Sequence, residues 1–245
     1  MSAGTLWSYP GIPGDVQEPM RSPNIKIQAI ATYGGIDIKI GEPYEHHVTN
    51  KTPEFLAKFP VGKVPAFETT SGVNIFEAIA ISTYVAGLAK SGNLLGSTLE
   101  DTALINQWVW YMALEVTTPL WADFYLIHHA LPYNKVTDTY YREKIATGVD
   151  ILEAHLKNRT YLVGERITLA DIYVAADLKL LFGSLGDAQF RSRIPNTVRF
   201  FNTIVNHPKM KHIFGEVSFI EKSIHYVAPA PEPRDRKPRD QRHPN

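Results

Sequence analysis

The chain contains no cysteine among its 245 residues. This absence excludes disulfide bonds, zinc–thiolate sites and a cysteine nucleophile, so any sulfur nucleophile must arrive with a ligand. An excess of one charge is also lacking, because 25 Lys and Arg balance 25 Asp and Glu. Without a basic field the chain has no general attraction for nucleic acid or anionic lipid, and we expect neither nucleic acid nor a membrane as a partner.

Long apolar runs are missing as well. Met1–Leu6 has neither a basic n-region nor an apolar h-region, and the chain has no stretch of about 18 uninterrupted apolar residues. We therefore expect a cytoplasmic protein. With 44% hydrophobic and 20% charged residues the chain can bury a core, and its length suits two domains of ordinary size.

The first part of the chain alternates strand and helix patterns in the order β-α-β-α-β-β-α. Proline-led helix starts, turn residues and apolar alternation predict these elements at Thr5–Tyr9, Ser22–Tyr33, Ile36–Ile40, Thr52–Phe59, Val64–Glu68, Asn74–Phe76 and Glu77–Lys90. Ile36, Ile38 and Ile40 alternate with polar residues, as expected of a strand with one buried face. In the last helix Ile81, Tyr84, Val85 and Leu88 have the spacing of one buried face. A parallel strand pair followed by a hairpin is typical of a thioredoxin-like sheet.

Beyond the Gly92–Gly96 linker the pattern becomes helical throughout. Helices are predicted at about Leu99–His129, Thr137–Lys157, Leu169–Leu181 and Pro195–Asn206. We therefore expect a thioredoxin-like domain at residues 1–91 and an all-helical domain at 97–227. Residues 228–245 alternate proline with charge and predict a disordered tail. Thr168 and Asp171 resemble a capping box, which we interpret as a folding signal.

Two short motifs in the first domain suggest a peptide ligand. Val64-Pro65 before a strand is a candidate cis-proline site, where the main chain of Val64 can pair with an extended peptide. Glu77 and Ala78 open a helix whose free N–H groups attract a carboxylate, while the Glu77 carboxylate can meet an ammonium group. A carboxylate and an ammonium group on one ligand describe a γ-glutamyl zwitterion. Alternatively, Pro65 is a trans edge-strand proline and Glu77 only stabilises its own helix.

Longer stretches of the sequence resemble one family. Thr52–Glu68, which reads TPEFLAKFPVGKVPAFE, resembles the glutathione-site region of the gamma subunits of translation elongation factor 1, which are relatives of the glutathione transferases. The helical half adds further stretches similar to that family, at Leu131–Lys135, Arg159–Asp171, Phe190–Phe201 and Asn206–Pro208. The resemblance covers about Thr5 to Ile224.

The resemblance implies a glutathione transferase fold and a homodimer. The thioredoxin-like domain would bind glutathione as co-substrate, and the all-α domain would form most of the pocket for a second, hydrophobic substrate. Many transferases have Ser where Ala78 offers only its backbone N–H. By resemblance, glutathione contacts are expected from Asn50, Lys51, Lys63, Val64, Pro65, Glu77 and Ala78.

Transferases activate the glutathione thiol with a hydroxyl near the end of the first strand, because a hydrogen bond to the thiolate lowers the thiol pKa. Tyr9 is the preferred candidate, and Ser8 is a rival hydroxyl beside it. Aligning Pro19 and Arg21 with serine-type relatives selects Gln17 instead, whose amide is a weaker donor. Tyr9 could also be an ordinary strand aromatic.

The helix predicted from Leu99 is dense in aromatic residues, of which most are expected in the core. We expect Tyr111, Trp121 and Tyr125 to line a pocket for a planar apolar substrate. The doublets His46-His47 and His128-His129 do not predict a metal site, because adjacent side chains point in different directions.

Two functions fit this sequence. One is a glutathione transferase acting on an apolar electrophile, and the other is a scaffold domain that docks elongation factor subunits without catalysis. Complete gamma subunits carry a Lys-rich linker and a further C-terminal domain. Neither is recognisable here, so we expect an enzyme of the gamma-like class.

Overall fold

The computed structural model describes residues 2–9, 22–41, 44–89 and 92–229, except the side chains of Ser22 and Pro23. The first half folds around a four-stranded sheet of order β2-β1-β3-β4, in which β1 and β2 are parallel and the other neighbours antiparallel. The elements are β1 (Gly4–Trp7), α1 (Ser22–Gly34), β2 (Lys39–Ile40), α2 (Pro53–Lys58), β3 (Ala66–Thr69), β4 (Asn74–Phe76) and α3 (Ala78–Gly87). The predicted order is confirmed, and a short 3₁₀ turn at Thr49–Lys51 was not predicted.

Two apolar positions of this half differ from the prediction. Strand β2 has only two residues and lies at the sheet edge, so Ile40 is 41% exposed although Ile36 and Ile38 pack against the core. Helix α3 ends at Gly87 and not at Lys90, which leaves Leu88 beyond the helix and 38% exposed. Both errors fall at the end of an element, where tertiary cover is thinnest.

The second half is helical, and its described residues, 92–229, contain no strand. Its helices are α4 (Leu99–Tyr111), α5 (Thr118–Ile127), α6 (Lys135–Leu156), α7 (Leu169–Phe182), α8 (Ala188–Ser192), α9 (Pro195–Val205) and α10 (Lys211–Phe214). The fold class predicted from the sequence is therefore confirmed. The exact domain boundaries stay a prediction, and α8 and α10 are short helices that the sequence pattern missed.

A π-helical segment, Met112–Thr117, joins α4 to α5 where one straight helix was predicted. It packs against α6 at Gly148, where an added Cβ would lie 2.8 Å from a methyl carbon of Val116. Glycine at this position thus permits the wide turn to approach α6 closely.

Helix α7 is buried along nearly its whole length and forms the centre of the helical half. At its start the Asp171 carboxylate accepts hydrogen bonds from the Thr168 N–H at 2.7 Å, the Thr168 hydroxyl at 2.7 Å and the Leu162 N–H at 2.8 Å. Burial raises the pKa of Asp171 to about 6, against these three donors. The capping box is therefore a structural device, as predicted, and it also fastens the loop at Leu162.

A buried ion pair joins the two halves. Lys26 on α1 lies 2.6 Å from Asp177 on α7, with side chains only 3% and 0% exposed. The Lys26 ammonium also lies 3.9 Å from the centre of the Tyr173 ring. Burial alone would lower the pKa of Lys26, but Asp177 and Tyr173 raise it above its ordinary value. The ammonium is thus charged inside the junction of α1 and α7.

The chain beyond α10 is held against the helical half by arginine. Arg142 on α6 donates to the Ser223 hydroxyl at 3.0 Å and to the Ile224 carbonyl at 2.8 Å, and it pairs with Asp138 and the buried Asp123. Burial raises the pKa of Asp123 to about 7.

Within the described residues, no helix is both long enough and apolar enough to cross a bilayer.

Candidate functional site

The register of the sheet brings several chain segments to one edge. Trp7 of β1 lies opposite Ala66 of β3, and Ala66 lies opposite Phe76 of β4. Because these pairs are antiparallel, the residues after Trp7 and Phe76 and those before Ala66 share one edge of the sheet, which we call the site edge. Strand β2 runs parallel to β1, so the loop after Ile40 reaches it too. The site edge carries Ser8, Tyr9, Val64, Pro65, Glu77 and Ala78.

The loop before β3 offers unpaired main chain at this edge. The Val64-Pro65 bond is cis, as predicted. Among the described residues, neither the N–H nor the carbonyl of Val64 has a backbone hydrogen-bond partner. Pro65 is buried and Lys63 is exposed. An extended peptide could therefore pair with Val64 while Lys63 meets an anionic group.

Asn50 and Lys51 hold this loop from behind. The Asn50 amide donates to the Gly62 carbonyl at 2.7 Å, and the Lys51 ammonium donates to the same oxygen at 3.1 Å. Asn50 is 1% exposed, so it positions the loop and does not face solvent, whereas Lys51 is exposed. The exposed Lys51 ammonium is open to a ligand, and both predicted contacts stay predictions.

A small apolar cluster supports the loop from the other side. Phe55 and Phe59 of the α2 region pack with Ala66, Trp7 and Val64. The Trp7 and Phe55 rings meet edge to face at 6.2 Å. This packing couples the position of the Val64 main chain to the end of β1.

Gly62 is the tightest point of the loop. Its φ is +59°, and an added Cβ would lie 2.9 Å from a Leu56 methyl carbon and 3.0 Å from the Asn50 carbonyl oxygen. Both the left-handed backbone and the space therefore require glycine there.

Helix α3 begins at the site edge without a side-chain cap. Its N-cap residue, Glu77, is exposed and has a φ of 71°, an uncommon conformation for a residue with a Cβ. The half-buried Ala78 follows as the first helical residue. The first N–H groups of α3 can thus bind a carboxylate, while the Glu77 carboxylate can bind an ammonium group.

The candidate hydroxyls at the end of β1 differ in exposure. Ser8 is 1% exposed, and its hydroxyl donates to the Tyr9 carbonyl at 3.3 Å. Tyr9 is half-buried, and its hydroxyl lies 3.0 Å from His46 Nε2. Burial raises the pKa of Tyr9, and the electrostatic effect of Tyr125 on α5 raises it further. Gln17, the third candidate, lies outside the described residues.

Sequence reasoning missed the partners of Tyr9. His46 and Tyr44 lie in the loop after β2, and the Tyr44 hydroxyl is 3.0 Å from His46 Nδ1. Burial lowers the pKa of His46, and His47 and Lys51 lower it further. Burial also raises the pKa of Tyr44, with a contribution from Tyr9. The spacing of Tyr44 and His46 was the one available signal, but their separations of 35 and 37 residues from Tyr9 concealed the contact.

The predicted pocket aromatics separate into two groups. Trp121 and Tyr125 on α5 lie together, with ring centres 6.2 Å apart, and Tyr125 is 47% exposed. Tyr111 instead donates its hydroxyl to the Gly148 carbonyl on α6 at 2.9 Å and packs on Trp108. It lines a groove between the α4 and α6 regions together with Tyr140 and Ile151, and neither Trp121 nor Tyr125 is among the lining residues of that groove.

The remaining histidines do not combine into a metal site in the described part of the chain. No group of three or more His, Cys, Asp or Glu there could hold a metal ion. His128 stacks near Phe124, while His129 contacts Tyr226.

Two family models match the chain. The model described as Glutathione S-transferase, N-terminal domain, matches residues 19–87, and the model described as Glutathione S-transferase, C-terminal domain, matches residues 111–208. The first match includes Val64 and Glu77 of the site edge, and the second includes Trp121 and Tyr125.

Proteins named elongation factor 1-gamma are similar along most of the chain. The protein of Equus caballus is 38% identical over 235 residues, which cover 93% of this chain and 50% of the relative. Elongation factor 1-gamma-A of Xenopus laevis is 38% identical over 231 residues, with the same shares of 93% and 50%. The chain spans about half the length of the curated relatives it matches.

Solved structures agree with these similarities. The glutathione S-transferase-like domain of elongation factor 1-gamma from Saccharomyces cerevisiae has a TM-score of 0.77 and 27% identity, and the match covers 93% of this chain and 100% of that domain. Glutathione S-transferase-I bound with lactoylglutathione has a TM-score of 0.71 and 21% identity, over 87% and 99% of the two chains. The second similarity concerns the fold alone.

Proposed function

Because the chain belongs to the glutathione S-transferase superfamily, we propose that it binds glutathione at the site edge and uses it on an apolar electrophile. The observation that carries this proposal is the meeting of three features at one edge. These are the unpaired main chain of Val64, the uncapped start of α3 with Glu77, and the Tyr9 hydroxyl.

The tripeptide would lie along the loop before β3. Its central amide pairs with the Val64 main chain, and its γ-glutamyl carboxylate meets the first N–H groups of α3. The γ-glutamyl ammonium meets Glu77. The exposed cations Lys51 and Lys63 are available to the glycyl carboxylate.

The thiol would then lie near Tyr9. The structure describes two hydroxyls at the end of β1. Ser8 is only 1% exposed, whereas Tyr9 is half-buried, so the Tyr9 hydroxyl is the one accessible to a bound thiol. A hydrogen bond from Tyr9 stabilises the thiolate and raises the fraction of nucleophile at neutral pH. Trp121 and Tyr125 provide an apolar wall for the second substrate on the side of α5.

The Tyr9→Phe variant separates binding from thiol activation. A hydrogen bond to a charged group contributes about 1.5–3 kcal/mol, so we expect turnover with a chlorodinitrobenzene-type electrophile to fall about 10- to 100-fold. The glutathione affinity, measured by calorimetry, should stay nearly unchanged. Tyr140→Phe on the exposed surface of α6 is the matched control and should leave both quantities at wild-type values.

Two results would contradict the proposal. Calorimetry of the wild-type chain without glutathione binding at millimolar concentration removes the function altogether. Unchanged turnover in Tyr9→Phe removes Tyr9 from thiol activation and directs attention to Ser8 or Gln17.

A second function is favoured by the relatives named elongation factor 1-gamma, at 38% identity. In this alternative the chain is a non-catalytic scaffold domain that docks elongation factor subunits in the cytoplasm. Size-exclusion chromatography with purified elongation factor subunits tests it. A stable complex together with absent turnover would favour the scaffold, and the elution volume of the chain alone would test the homodimer that the family implies.

A further inference from the structure

Tyr9, His46 and Tyr44 form a continuous hydrogen-bonded chain at the site edge. The Tyr9 and Tyr44 hydroxyls each lie 3.0 Å from a different nitrogen of the His46 ring, Nε2 and Nδ1 respectively. The Tyr9 and His46 ring centres are only 4.5 Å apart. Both imidazole nitrogens are therefore committed to phenols, and neither is available to a metal or to a substrate.

The loop that carries His46 is fixed in shape. The Glu45 N–H donates to the Thr49 hydroxyl at 2.8 Å, and the Thr49 N–H donates back to the Glu45 carbonyl at 2.8 Å. Between them His47 has a φ of 67°, and its ring lies 4.0 Å from that of His46. The turn thus directs the His46 ring toward the end of β1.

The protonation of the three groups leaves one spare donor. Both phenols keep their protons because burial raises their pKa values, and His46 is neutral because burial and the nearby His47 and Lys51 lower its pKa. A neutral imidazole has one donor and one acceptor nitrogen. The two phenols and the imidazole together carry three protons, and each of the two hydrogen bonds uses one of them. The third proton therefore lies at one end of the chain, on Tyr9 or on Tyr44.

We propose that His46 is a positioning residue for Tyr9, with Tyr44 fixing its tautomer. Tyr44 donates to Nδ1, the ring proton stays on Nε2, and this N–H donates to the Tyr9 oxygen. The proton of Tyr9 is then free to donate to the glutathione thiolate, a role that rests on the function proposed above. In the reverse order Tyr9 donates to Nε2, and a thiolate would meet only lone pairs of the Tyr9 oxygen. A bound thiolate therefore favours the order in which the Tyr9 proton points to it. A chain of this kind also strengthens its terminal donor.

The Tyr44→Phe variant of the full chain tests this order without removing Tyr9 or His46. Loss of one hydrogen bond of ordinary strength should reduce the thiolate fraction of bound glutathione at neutral pH about three- to tenfold, read from the ultraviolet absorbance of the thiolate. His46→Phe should reduce it to a similar extent. Tyr140→Phe on the exposed surface of α6 is the control, because it removes a phenol hydroxyl away from the site edge, and it should leave the thiolate fraction unchanged.

The pH profile distinguishes positioning from a structural role. In Tyr44→Phe the loss of turnover should vanish at high pH, where the thiol ionises without help. A merely structural role would lower turnover at every pH. The double variant Tyr44→Phe/His46→Phe should lose no more thiolate than His46→Phe alone, because both changes break the same chain. Nitrogen chemical shifts of His46 in the glutathione complex should show protonated Nε2 and unprotonated Nδ1.

Three results would overturn the inference. They are an unchanged thiolate fraction in Tyr44→Phe and His46→Phe, additive losses in the double variant, or an Nδ1-protonated ring in the complex. In each of these cases calorimetry still reports glutathione binding, so the proposed function survives. Absent binding to the wild-type chain is instead a failure of the function itself and removes the inference with it.

Discussion

Replacement of Lys26 tests how the two halves of the molecule are joined. The ammonium lies 2.6 Å from Asp177, and both side chains are almost fully buried. In Lys26→Met the apolar stem is kept, but the Asp177 carboxylate loses its cation inside the junction. Removal of one partner of a buried pair costs about 3–5 kcal/mol. We therefore expect the free energy of unfolding to fall by that amount.

A matched control comes from an exposed pair of similar length. Lys58 lies 2.8 Å from Glu68, with side chains 46% and 30% exposed. Water screens this pair, so Lys58→Met should cost less than about 1 kcal/mol. The two variants make the same chemical change and differ mainly in burial.

Thermal and urea unfolding measure the difference. For chains of this size 1 kcal/mol corresponds to about 2–4 °C, so Lys26→Met should lower the Tm by about 6–20 °C and the control by less than about 4 °C. The double variant Lys26→Met/Asp177→Leu should recover most of the loss, because no charge is then left buried. If Lys26→Met is no more costly than Lys58→Met, or if the double variant recovers nothing, the reasoning from burial is refuted.

Three further predictions concern other parts of the chain. Gly62→Ala should lower glutathione affinity and should cost more stability than Gly35→Ala. Both glycines have a left-handed φ, but only at Gly62 would an added Cβ lie within 4 Å of neighbouring atoms. Equal losses of stability would contradict this prediction. Arg142→Gln should speed proteolysis at residues 216–229, and an unchanged cleavage rate would show that other contacts suffice. The raised pKa of Asp171, about 6 against an ordinary 3.8, means that the folded state keeps the proton longer. The free energy of unfolding should therefore fall by about 2 kcal/mol as pH rises from 4 to 6, and Asp171→Asn should abolish this contribution in urea titrations.

Much of the fold could be predicted because its signals are local. Cap residues, first-turn prolines and apolar periodicity give the elements from β1 to α3 and the long helices of the second half. The errors have a common cause. The exposure of Ile40 and Leu88 depends on whether another element covers them, and the π segment depends on the approach of α6 at Gly148. None of these is encoded in a short window of sequence.

The candidate site also has one part that could be predicted from the sequence and one part that could not. Val64, Glu77 and Tyr9 lie at strand ends, so their meeting at one edge follows from the order of the strands. Asn50 holds the Gly62 carbonyl from a buried position, and its contact with a ligand stays a prediction, since a short window of sequence does not show both roles of such an amide. His46 was considered only as part of a doublet, because its two partners come from separate segments that only the folded chain brings together.

The π segment between α4 and α5 sets which aromatic rings face which neighbour. A helix turns by about 100° per residue, so a turn that holds one residue more rotates all that follows it. Before the segment, Trp108 and Tyr111 face α6, where they contact His155 and Gly148. After it, Trp121 and Tyr125 lie together on α5, and Tyr125 helps to raise the pKa of Tyr9 at the end of β1. A one-residue deletion within 112–117 would therefore rotate Trp121 and Tyr125 by about 100° relative to Trp108 and Tyr111, so the two pairs of rings would no longer keep their present neighbours.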